Sequence, residues 1–291
     1  MKYINKYLEY LKVVKKDSNH TITSYKNDLL ELYDFNTNLL NINEKDVSNY
    51  LEYLYSRGLN RNSIARKISA IRGFYQYLQN EDLIKANPFK EISSPKKGES
   101  LPKYIKNNDI EKIFLCFNKE NPLEQRNLLI LEMLYATGVR ISELVNIKLS
   151  DINKYNRTIK ILGKGNKERI VVYGSYCEDA LELYLDDSRN KLAKKGTSEY
   201  LFLNKNGTKL SDRYIRKIIE QVVKLCEINY HISPHTIRHT FATDMLNNGA
   251  DLMTVKELLG HSSINTTGIY THVSNEQLKK VYNFAHPRSK E

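Results

Sequence analysis

Hydrophobic residues recur at helical spacing through the N-terminal third of the chain. The clearest segment runs from Arg61 to Gln79, where the apolar residues step by four and three along one face. They are Ile64, Ile68, Ile71, Tyr75 and Leu78. Asn60 precedes the segment and suits an N-cap. We therefore predict a helix over this segment, inside a helical N-terminal domain that spans residues 1–92.

Four cations of this predicted helix fall largely outside its apolar stripe: Arg61, Arg66, Lys67 and Arg72. A helix with one buried face and several cations elsewhere can lie along a phosphate backbone. A solvated basic face gives the same pattern. Contact with DNA and simple solvation therefore both stay open for these residues.

The helical pattern is interrupted at residues 93–103, whose sequence is SSPKKGESLPK. Proline, glycine, serine and lysine without apolar periodicity are typical of a linker. Helical spacing returns beyond it, over residues 108–117, 123–137 and 141–147. A second domain is therefore predicted to occupy residues 104–291.

Two later runs, RTIKILG and RIVVY, are rich in β-branched residues and flank the turn sequence GKGNK. This pattern predicts a β-hairpin. Helical patterns then dominate to the C-terminus. We predict a mainly α fold with a small β-sheet, in which the second domain is mixed α/β.

The chain of 291 residues carries a formal net charge of +11, which favours a polyanionic partner such as nucleic acid or an anionic membrane surface. No apolar run approaches the roughly 20 residues of a membrane span. The N-terminal MKYINKYLEYLKVVKK lacks the apolar stretch of a signal peptide, so we expect a cytoplasmic protein. Cys116, Cys177 and Cys226 lack metal-ligand or redox spacing and are predicted to be buried free thiols.

Four separated segments carry candidate chemistry, and the first is ATGVRISEL, residues 136–144. Thr137 and Gly138 are predicted to form a turn between two helices, with Arg140 opening the second. A cation at a helix N-terminus is disfavoured by the helix dipole, so Arg140 indicates an anion beside it. Glu143, one turn later, can hold the guanidinium in place. A surface ion pair is the alternative.

The second segment is the hairpin turn, where Lys164 lies between Gly163 and Gly165. The glycines suit a tight turn and let the backbone approach a ligand closely. The pattern GxxxxGK[ST] is absent and the turn lies between strands, so this is not a nucleotide-binding P-loop. A solvated lysine at a hairpin tip is the alternative.

The third segment begins a helix, with Ser233 as its N-cap and Pro234 at its first position. His235 and Arg238, three residues apart, are neighbours along the side of its buried row. His235 and His239 have the i, i+4 spacing of a zinc-binding helix. However, the glutamate of HExxH is missing and a cation lies between them, so metal binding is disfavoured.

The fourth segment contains His261, directly after a helix that Gly260 ends, and then Tyr270. Gly268 weakens the short helical segment around Tyr270 by about 1 kcal/mol relative to alanine, which indicates a segment that moves. A tyrosine in the hydrophobic core is the alternative.

Together these segments hold what a phenol needs to attack a phosphodiester without metal, cofactor or ATP. Guanidinium groups bind the non-bridging oxygens and keep their charge near neutral pH. Imidazoles donate to the same oxygens or take the phenol proton. A lysine on a movable hairpin protonates the leaving 5′-hydroxyl, and phosphotyrosine conserves the bond energy. The candidates for phosphate binding are Arg140 and Arg238, and those for donation or proton uptake are His235 and His261. The candidate acid is Lys164, and the candidate nucleophile is Tyr270.

These motifs resemble the tyrosine recombinase (phage integrase) family in order and spacing, and its Xer branch most closely. The matching segments are ATGVRISEL, GKGNKER, PHTIRHTFAT, LLGHSS and TTGIYTHV, with NPFKEISSPK and AHPR as further Xer-like stretches. One departure is Asp244, where Xer members often carry histidine.

The resemblance implies that a SAM-like core-binding domain (residues 1–92) and a catalytic domain (residues 104–291) clamp double-stranded DNA. It implies site-specific recombination through a 3′-phosphotyrosyl intermediate and a Holliday junction, by a tetramer of one chain or of two paralogues. Chromosome dimer resolution, association with the nucleoid and a septal DNA translocase as partner also follow from it. A mobile-element integrase and a catalytically silent DNA-binding protein stay open as alternatives.

The resemblance further implies a C-terminal helix that docks into a neighbouring subunit. Residues 274–277, SNEQ, fit a capping box at its start. Leu278, Val281 and Phe284 then form the predicted docking face. Packing of this face within its own chain is the alternative.

Overall fold

A computed structural model describes residues 1–92, 104–163, 167–193, 198–260 and 275–289 of the chain. It divides into two compact units, Met1–Ser100 and Leu101–Glu291. Within the described residues, no helix combines the length and the apolar character that a membrane crossing requires.

The first unit is helical over residues 1–92. Its α-helices are α1 (Lys2–Val13), α2 (Asn19–Phe35), α3 (Glu44–Ser56) and α4 (Arg61–Asn80), with a 3₁₀ turn at Leu39–Asn41. Asn60 caps α4 by accepting a hydrogen bond from the Ser63 amide at 2.8 Å. Every residue of the predicted apolar stripe of α4 is buried. The predicted helix is therefore confirmed, one residue longer than expected.

Three of the four cations predicted on α4 make contacts inside this unit. The carboxylate of Asp28 on α2, itself buried, accepts hydrogen bonds from Arg66 Nη2 at 2.9 Å and Lys67 Nζ at 3.1 Å. Lys67 Nζ also lies 3.1 Å from Glu31 Oε1. The Lys67 ammonium is therefore buried between two carboxylates. The hypothesis that it contacts a phosphate backbone does not fit this position, because its charge is already paired inside the domain.

Arg72 instead binds backbone. Its Nε donates to the carbonyl oxygen of Phe89 at 3.1 Å, and its Nη2 donates to that of Ile92. These bonds fasten the last described segment of the first unit to α4. Arg61 is exposed and makes no ion pair with any residue that the structure describes, so of the four cations it best fits a DNA contact; Arg66 is also exposed but is already paired with Asp28.

The second unit combines helices with a small antiparallel sheet, as predicted. Its helices are α5 (Asn107–Leu115), α6 (Pro122–Thr137), α7 (Ile141–Leu144), α8 (Ser175–Leu183), α9 (Arg189–Ala193), α10 (Asp212–Leu225), α11 (Pro234–Asn247), α12 (Leu252–Leu259) and α13 (Asn275–Ala285). A 3₁₀ turn spans Leu149–Asp151, and a π-helical turn, Tyr184–Ser188, joins α8 to α9. The central helix is α6, whose residues from Gln125 are buried almost without interruption because α8 and α11 pack against it.

The sheet has the order β1-β2-β3, formed by Ile152–Asn153, Thr158–Leu162 and Glu168–Val172. β2 and β3 form the predicted hairpin, with Ile159 opposite Val171. β1 was not predicted because two residues are too few to show a strand alternation. The predicted helix over 141–147 ends early, at Leu144, where the backbone tightens: the amides of Asn146 and Ile147 donate to carbonyls three residues back, at 3.0 and 3.2 Å.

The three cysteines are free thiols. Cys177 on α8 is buried, as predicted. Cys116 and Cys226 are only partly buried, because they follow the C-terminal ends of α5 and α10.

Helix α13 packs on α11, α12 and β3 of its own unit. Leu278 is buried there beside Tyr282 and Ala285, whereas Phe284 is 77% exposed. The predicted docking face is therefore divided: Leu278 belongs to the core of its own chain, and Phe284 faces solvent. Ser274, the predicted cap, lies outside the described residues.

The residues after α13 are built into the core. The His286 ring stacks on Tyr282 with 4.8 Å between centroids, and its Nδ1 accepts from the Arg288 amide at 3.1 Å. Its Nε2 therefore carries the proton and faces the Tyr135 carbonyl oxygen, 3.3 Å away. Arg288 Nε donates to Glu132 Oε2 at 2.9 Å. Burial lowers the pKa of His286 to about 3, so the ring is neutral near pH 7.

Substitution of His286 by glutamine tests this burial. The folded state keeps the ring neutral, whereas the unfolded chain binds a proton near the ordinary pKa of about 6.5. The contribution of the neutral His286 ring to the free energy of unfolding is therefore fully present above about pH 6.5, and it falls as the pH drops below that value. Between about pH 7.5 and about pH 5 the free energy of unfolding of the wild type should fall by about 2 kcal/mol relative to that of His286→Gln. Urea denaturation followed by circular dichroism measures both.

His231→Gln changes an exposed histidine of the same unit and is the control. It should keep the pH dependence of the wild type. An equal loss in wild type and His286→Gln would contradict a neutral, buried His286.

Candidate active site

The turn after α6 delivers Arg140 to the start of α7. Gly138 ends α6 with φ +60°, a left-handed conformation that glycine adopts readily. A Cβ on Gly138 would lie 2.6 Å from Phe241 Cδ1 and 2.8 Å from Leu259 Cδ2, so only glycine fits. Arg140 then occupies the N-cap of α7 with its side chain 39% exposed. The predicted turn and the placement of Arg140 are confirmed.

Glu143 holds two arginines at once. Its Oε1 accepts from Arg140 Nη1 at 2.9 Å, and its Oε2 accepts from the Arg140 amide at 2.9 Å. Arg169 on β3 donates Nη1 and Nη2 to the same two oxygens at 3.0 and 2.8 Å. Burial acts to raise the pKa of Glu143, but the bonds from Arg169 and Arg140 outweigh burial and lower it. The carboxylate is therefore ionised and fixes both guanidinium groups.

Arg238 on α11 is a buried cation. It completes the set that we call the arginine group, which is Arg140, Glu143, Arg169 and Arg238. Arg238 Nη1 donates to the carbonyl oxygen of Gly138, and its Nη2 donates to that of Leu259 at 2.6 Å. Burial, and then the positive charge of Arg140, lower the pKa of Arg238 to about 10. Arg238 stays charged near neutral pH, close enough to Arg140 for the two charges to repel.

Within the part of the chain that the structure describes, the arginine group holds three guanidinium groups, from Arg140, Arg169 and Arg238, against one carboxylate, that of Glu143. The excess positive charge is partly buried, where its field is stronger than in water. Planar guanidinium forks match the oxygens of a phosphate. The arrangement is therefore suited to binding a phosphate group at Arg140 and Arg238.

His235 lies on the first turn of α11, three residues before Arg238. The predicted cap is present, since Ser233 Oγ accepts from the Thr236 amide at 3.2 Å. His235 and His239 are both exposed. Across the described parts of the chain, no three His, Cys, Asp or Glu side chains gather as a set of metal ligands.

Lys164, His261 and Tyr270 lie outside the described residues. The residues that precede two of them in sequence do approach the arginine group. A Cβ built on Gly163 would lie 3.8 Å from Glu143 Oε1. One built on Gly260 would lie 2.9 Å from the Cδ atom of Arg169.

Sequence reasoning missed Arg169, which it treated only as a residue of the return strand. A signal was present in the strand alternation. Positions 169 and 171 share one face of β3, and Val171 is buried, so Arg169 was due to point inward. An inward-pointing arginine requires a buried partner, which is Glu143.

Comparison with known proteins agrees with both units. A family model described as "Phage integrase family" matches residues 103–277. A second model, "Phage integrase, N-terminal SAM-like domain", matches residues 4–82.

Similar proteins cover almost the whole chain. Tyrosine recombinase XerC of Oceanobacillus iheyensis is 42% identical over 294 residues, which cover 99% of this chain and 96% of that protein. Tyrosine recombinase XerC of Staphylococcus haemolyticus is 44% identical over 288 residues, which cover 98% and 96%. A solved structure, XerH site-specific recombinase bound to palindromic difH substrate in a post-cleavage complex, matches with a TM-score of 0.73 and 26% identity, covering 96% of this chain and 83% of that chain.

Glu143→Gln tests the carboxylate on which the arginines converge. The substitution leaves buried guanidinium groups without a counter-charge, so the free energy of unfolding should fall by about 3 kcal/mol. Urea denaturation of the full chain measures the loss.

Glu178→Gln is the matched control, because Glu178 pairs with Arg157 in a more exposed ion pair of the same unit, at 2.6 Å. That variant should lose less than about 1 kcal/mol. Equal losses in the two variants would show that Glu143 is not the electrostatic centre of the group.

Proposed function

Because this chain belongs to the phage integrase family, among its Xer-type tyrosine recombinases, we propose that its strand cleavage runs on one phosphate-binding centre in the second unit. Family membership makes the chain a site-specific recombinase that cleaves and rejoins DNA by transesterification. The residues proposed for the centre are Arg140, Lys164, His235, Arg238, His261 and Tyr270. The observation that supports this assignment is the meeting of Arg140 and Arg238, from distant parts of the chain, beside one buried carboxylate.

The proposed reaction begins with the scissile phosphate at Arg140 and Arg238. The Tyr270 oxygen attacks phosphorus, a phosphorus–oxygen bond to tyrosine forms, and the bond to the 5′ oxygen breaks. Negative charge that builds on the non-bridging oxygens is stabilised by guanidinium groups already in place. Rejoining is the same step in reverse, with a 5′-hydroxyl as the nucleophile, and needs no ATP.

Protons must also move in this step. The phenol proton goes to His235 or His261, and the leaving 5′ oxygen takes a proton from Lys164. His235, on the first turn of α11 and exposed, is accessible to DNA. A lysine suits the role of acid because its ammonium carries a proton at neutral pH.

The hydrogen bonds of Arg238 support the phosphate-binding role. Two carbonyl oxygens, of Gly138 and Leu259, hold the plane of its guanidinium from the protein side. Among the residues that the structure describes, none accepts a hydrogen bond from the remaining N–H groups of Arg238, which can therefore meet oxygens of a ligand. A phosphate would also offset the burial, and then the repulsion from Arg140, that lower the pKa of Arg238. Because the guanidinium is already oriented, binding of the phosphate does not carry the entropy cost of fixing this side chain.

Our proposal for the biological role of recombination by this chain is supported by the names of similar proteins. Two of them carry the name tyrosine recombinase XerC, and a third is a site-specific recombinase bound to its difH substrate. We infer that the domains at residues 1–92 and 104–291 clamp a recombination site, and that four subunits, identical or paralogous, exchange strands through a Holliday junction. Chromosome dimer resolution in the cytoplasm, with a septal DNA translocase as partner, is the role we propose.

Tyr270→Phe tests the nucleophile. A nicked duplex carrying the recombination site traps cleaved DNA on the enzyme, because the short fragment that bears the released 5′-hydroxyl diffuses away and cannot rejoin. Wild type should give a covalent protein–DNA adduct on a denaturing gel, and Tyr270→Phe should give none while still binding the duplex.

An adduct that persists in Tyr270→Phe would place the nucleophile on another residue. The same assay with a chelator present separates the proposed mechanism from a metal-dependent one. Cleavage should continue at the untreated rate, and strong inhibition would favour a metal mechanism.

Arg61→Ala and Lys67→Met test which cations of α4 contact DNA. Arg61 is exposed, whereas the Lys67 ammonium is buried against Asp28 and Glu31. Arg61→Ala should reduce the slope of log affinity against log salt by about 1, the value for one lost phosphate contact. Lys67→Met should leave the slope unchanged. Fluorescence anisotropy with a labelled duplex over a salt series measures both, and the reverse result would reassign the contact.

A further inference from the structure

We propose that Arg169 is a positioning residue for strand cleavage, which fixes Arg140 through Glu143 and holds the end of α12. The inference rests on the proposed role of Arg140 in binding the scissile phosphate. It adds a residue that belongs to none of the six assigned above.

Arg169 joins three elements through one guanidinium. It stands on β3 opposite Ile161 of β2, and its side chain is 15% exposed. Nη1 and Nη2 donate to the two oxygens of Glu143 at 3.0 and 2.8 Å. Nε donates to the carbonyl oxygen of Leu258 at 3.3 Å. All three nitrogens therefore face protein acceptors, which suits positioning better than direct phosphate binding.

The stem of Arg169 also supports the backbone that leads to His261. Gly260 ends α12 with φ +65°, and a Cβ there would lie 2.9 Å from both Cδ and Nε of Arg169. The last carbonyls of α12 are shared between two arginines, since Leu258 accepts from Arg169 and Leu259 accepts from Arg238. These contacts satisfy carbonyls that a helix end leaves without partners.

Arg169 also limits how strongly Glu143 binds the Arg140 side chain. The Arg140 guanidinium donates one hydrogen bond to Glu143, from Nη1, whereas the Arg169 guanidinium donates to both carboxylate oxygens. Without Arg169, Glu143 is free to turn and form a two-point pair with Arg140. Such a pair is strong and competes with a phosphate for the same guanidinium. Loss of Arg169 should therefore weaken the contact of Arg140 with the phosphate, although Arg140 itself is unchanged.

The test compares two nicked substrates that differ at the scissile position. One carries the ordinary phosphodiester, and the other carries a methylphosphonate, in which a methyl group replaces a charged oxygen. A variant that loses cationic contact with the phosphate is slowed on the charged substrate more than on the neutral one. The readout is the ratio of adduct formation rates, methylphosphonate over phosphodiester, for each protein.

Arg140→Ala should raise this ratio above the wild-type value. Arg169→Ala should cleave the phosphodiester about 10- to 100-fold more slowly and should raise the ratio in the same direction. Arg169→Lys keeps the charge but not the two-point geometry, so its ratio should lie between wild type and Arg169→Ala. The lysine variant also serves as the test if Arg169→Ala does not fold.

Arg189→Ala is the matched control. Arg189 likewise binds backbone in the second unit, donating to the carbonyl oxygens of Leu201, Ser198 and Tyr200 at 3.2, 2.6 and 2.7 Å. Its loss should lower the melting temperature and leave the rate ratio at the wild-type value.

Two failures are distinguishable. A raised ratio in Arg140→Ala together with a wild-type ratio in both Arg169 variants would overturn the positioning role alone. A wild-type ratio in Arg140→Ala would overturn the proposed phosphate-binding centre, and with it the role of Arg169.

Discussion

The arginine group of the second unit depends on one buried carboxylate, that of Glu143. It accepts hydrogen bonds from the guanidinium groups of Arg140 and Arg169 and from a backbone amide. Burying an ionised carboxylate costs several kcal/mol unless it is paired. Glu143 can therefore be buried here only because the arginines lie beside it. Arg238 adds a third cation, and the excess positive charge is held in place before any phosphate arrives. In the proposed mechanism, this preorganisation removes a cost that would otherwise fall on cleavage.

The same group is organised at the ends of helices. Gly138 ends α6 and Gly260 ends α12, both in the left-handed conformation, and the carbonyls beside them accept hydrogen bonds from arginines. Helix C-termini carry partial negative charge and unpaired carbonyls, which attract cations. In the proposed mechanism, Arg238 is thereby aligned for a second task, because it would bind phosphate with N–H groups other than those that donate to the carbonyls.

The first unit uses its cations differently. Asp28 collects Arg66 and Lys67, and Arg72 binds backbone carbonyls, so three basic residues of α4 act within the domain. The charges of these three residues are therefore engaged inside the first unit. The C-terminal end follows the same logic, since Arg288 pairs with buried Glu132 and ties the final residues to α6.

The sequence by itself determined the longer elements, because apolar spacing and capping residues act over a few positions. It did not predict the two-residue β1 or the early end of α7. The α4 helix with its Asn60 cap, the β2–β3 hairpin and the start of α11 at Pro234 all follow from local patterns. Its motifs also identified the family. Only the tertiary structure decided which charges meet: that Arg169 shares Glu143 with Arg140, and that Lys67 is buried. The physical reason is that a charge's partner is chosen by packing between distant segments, and local spacing along the chain carries no record of that packing.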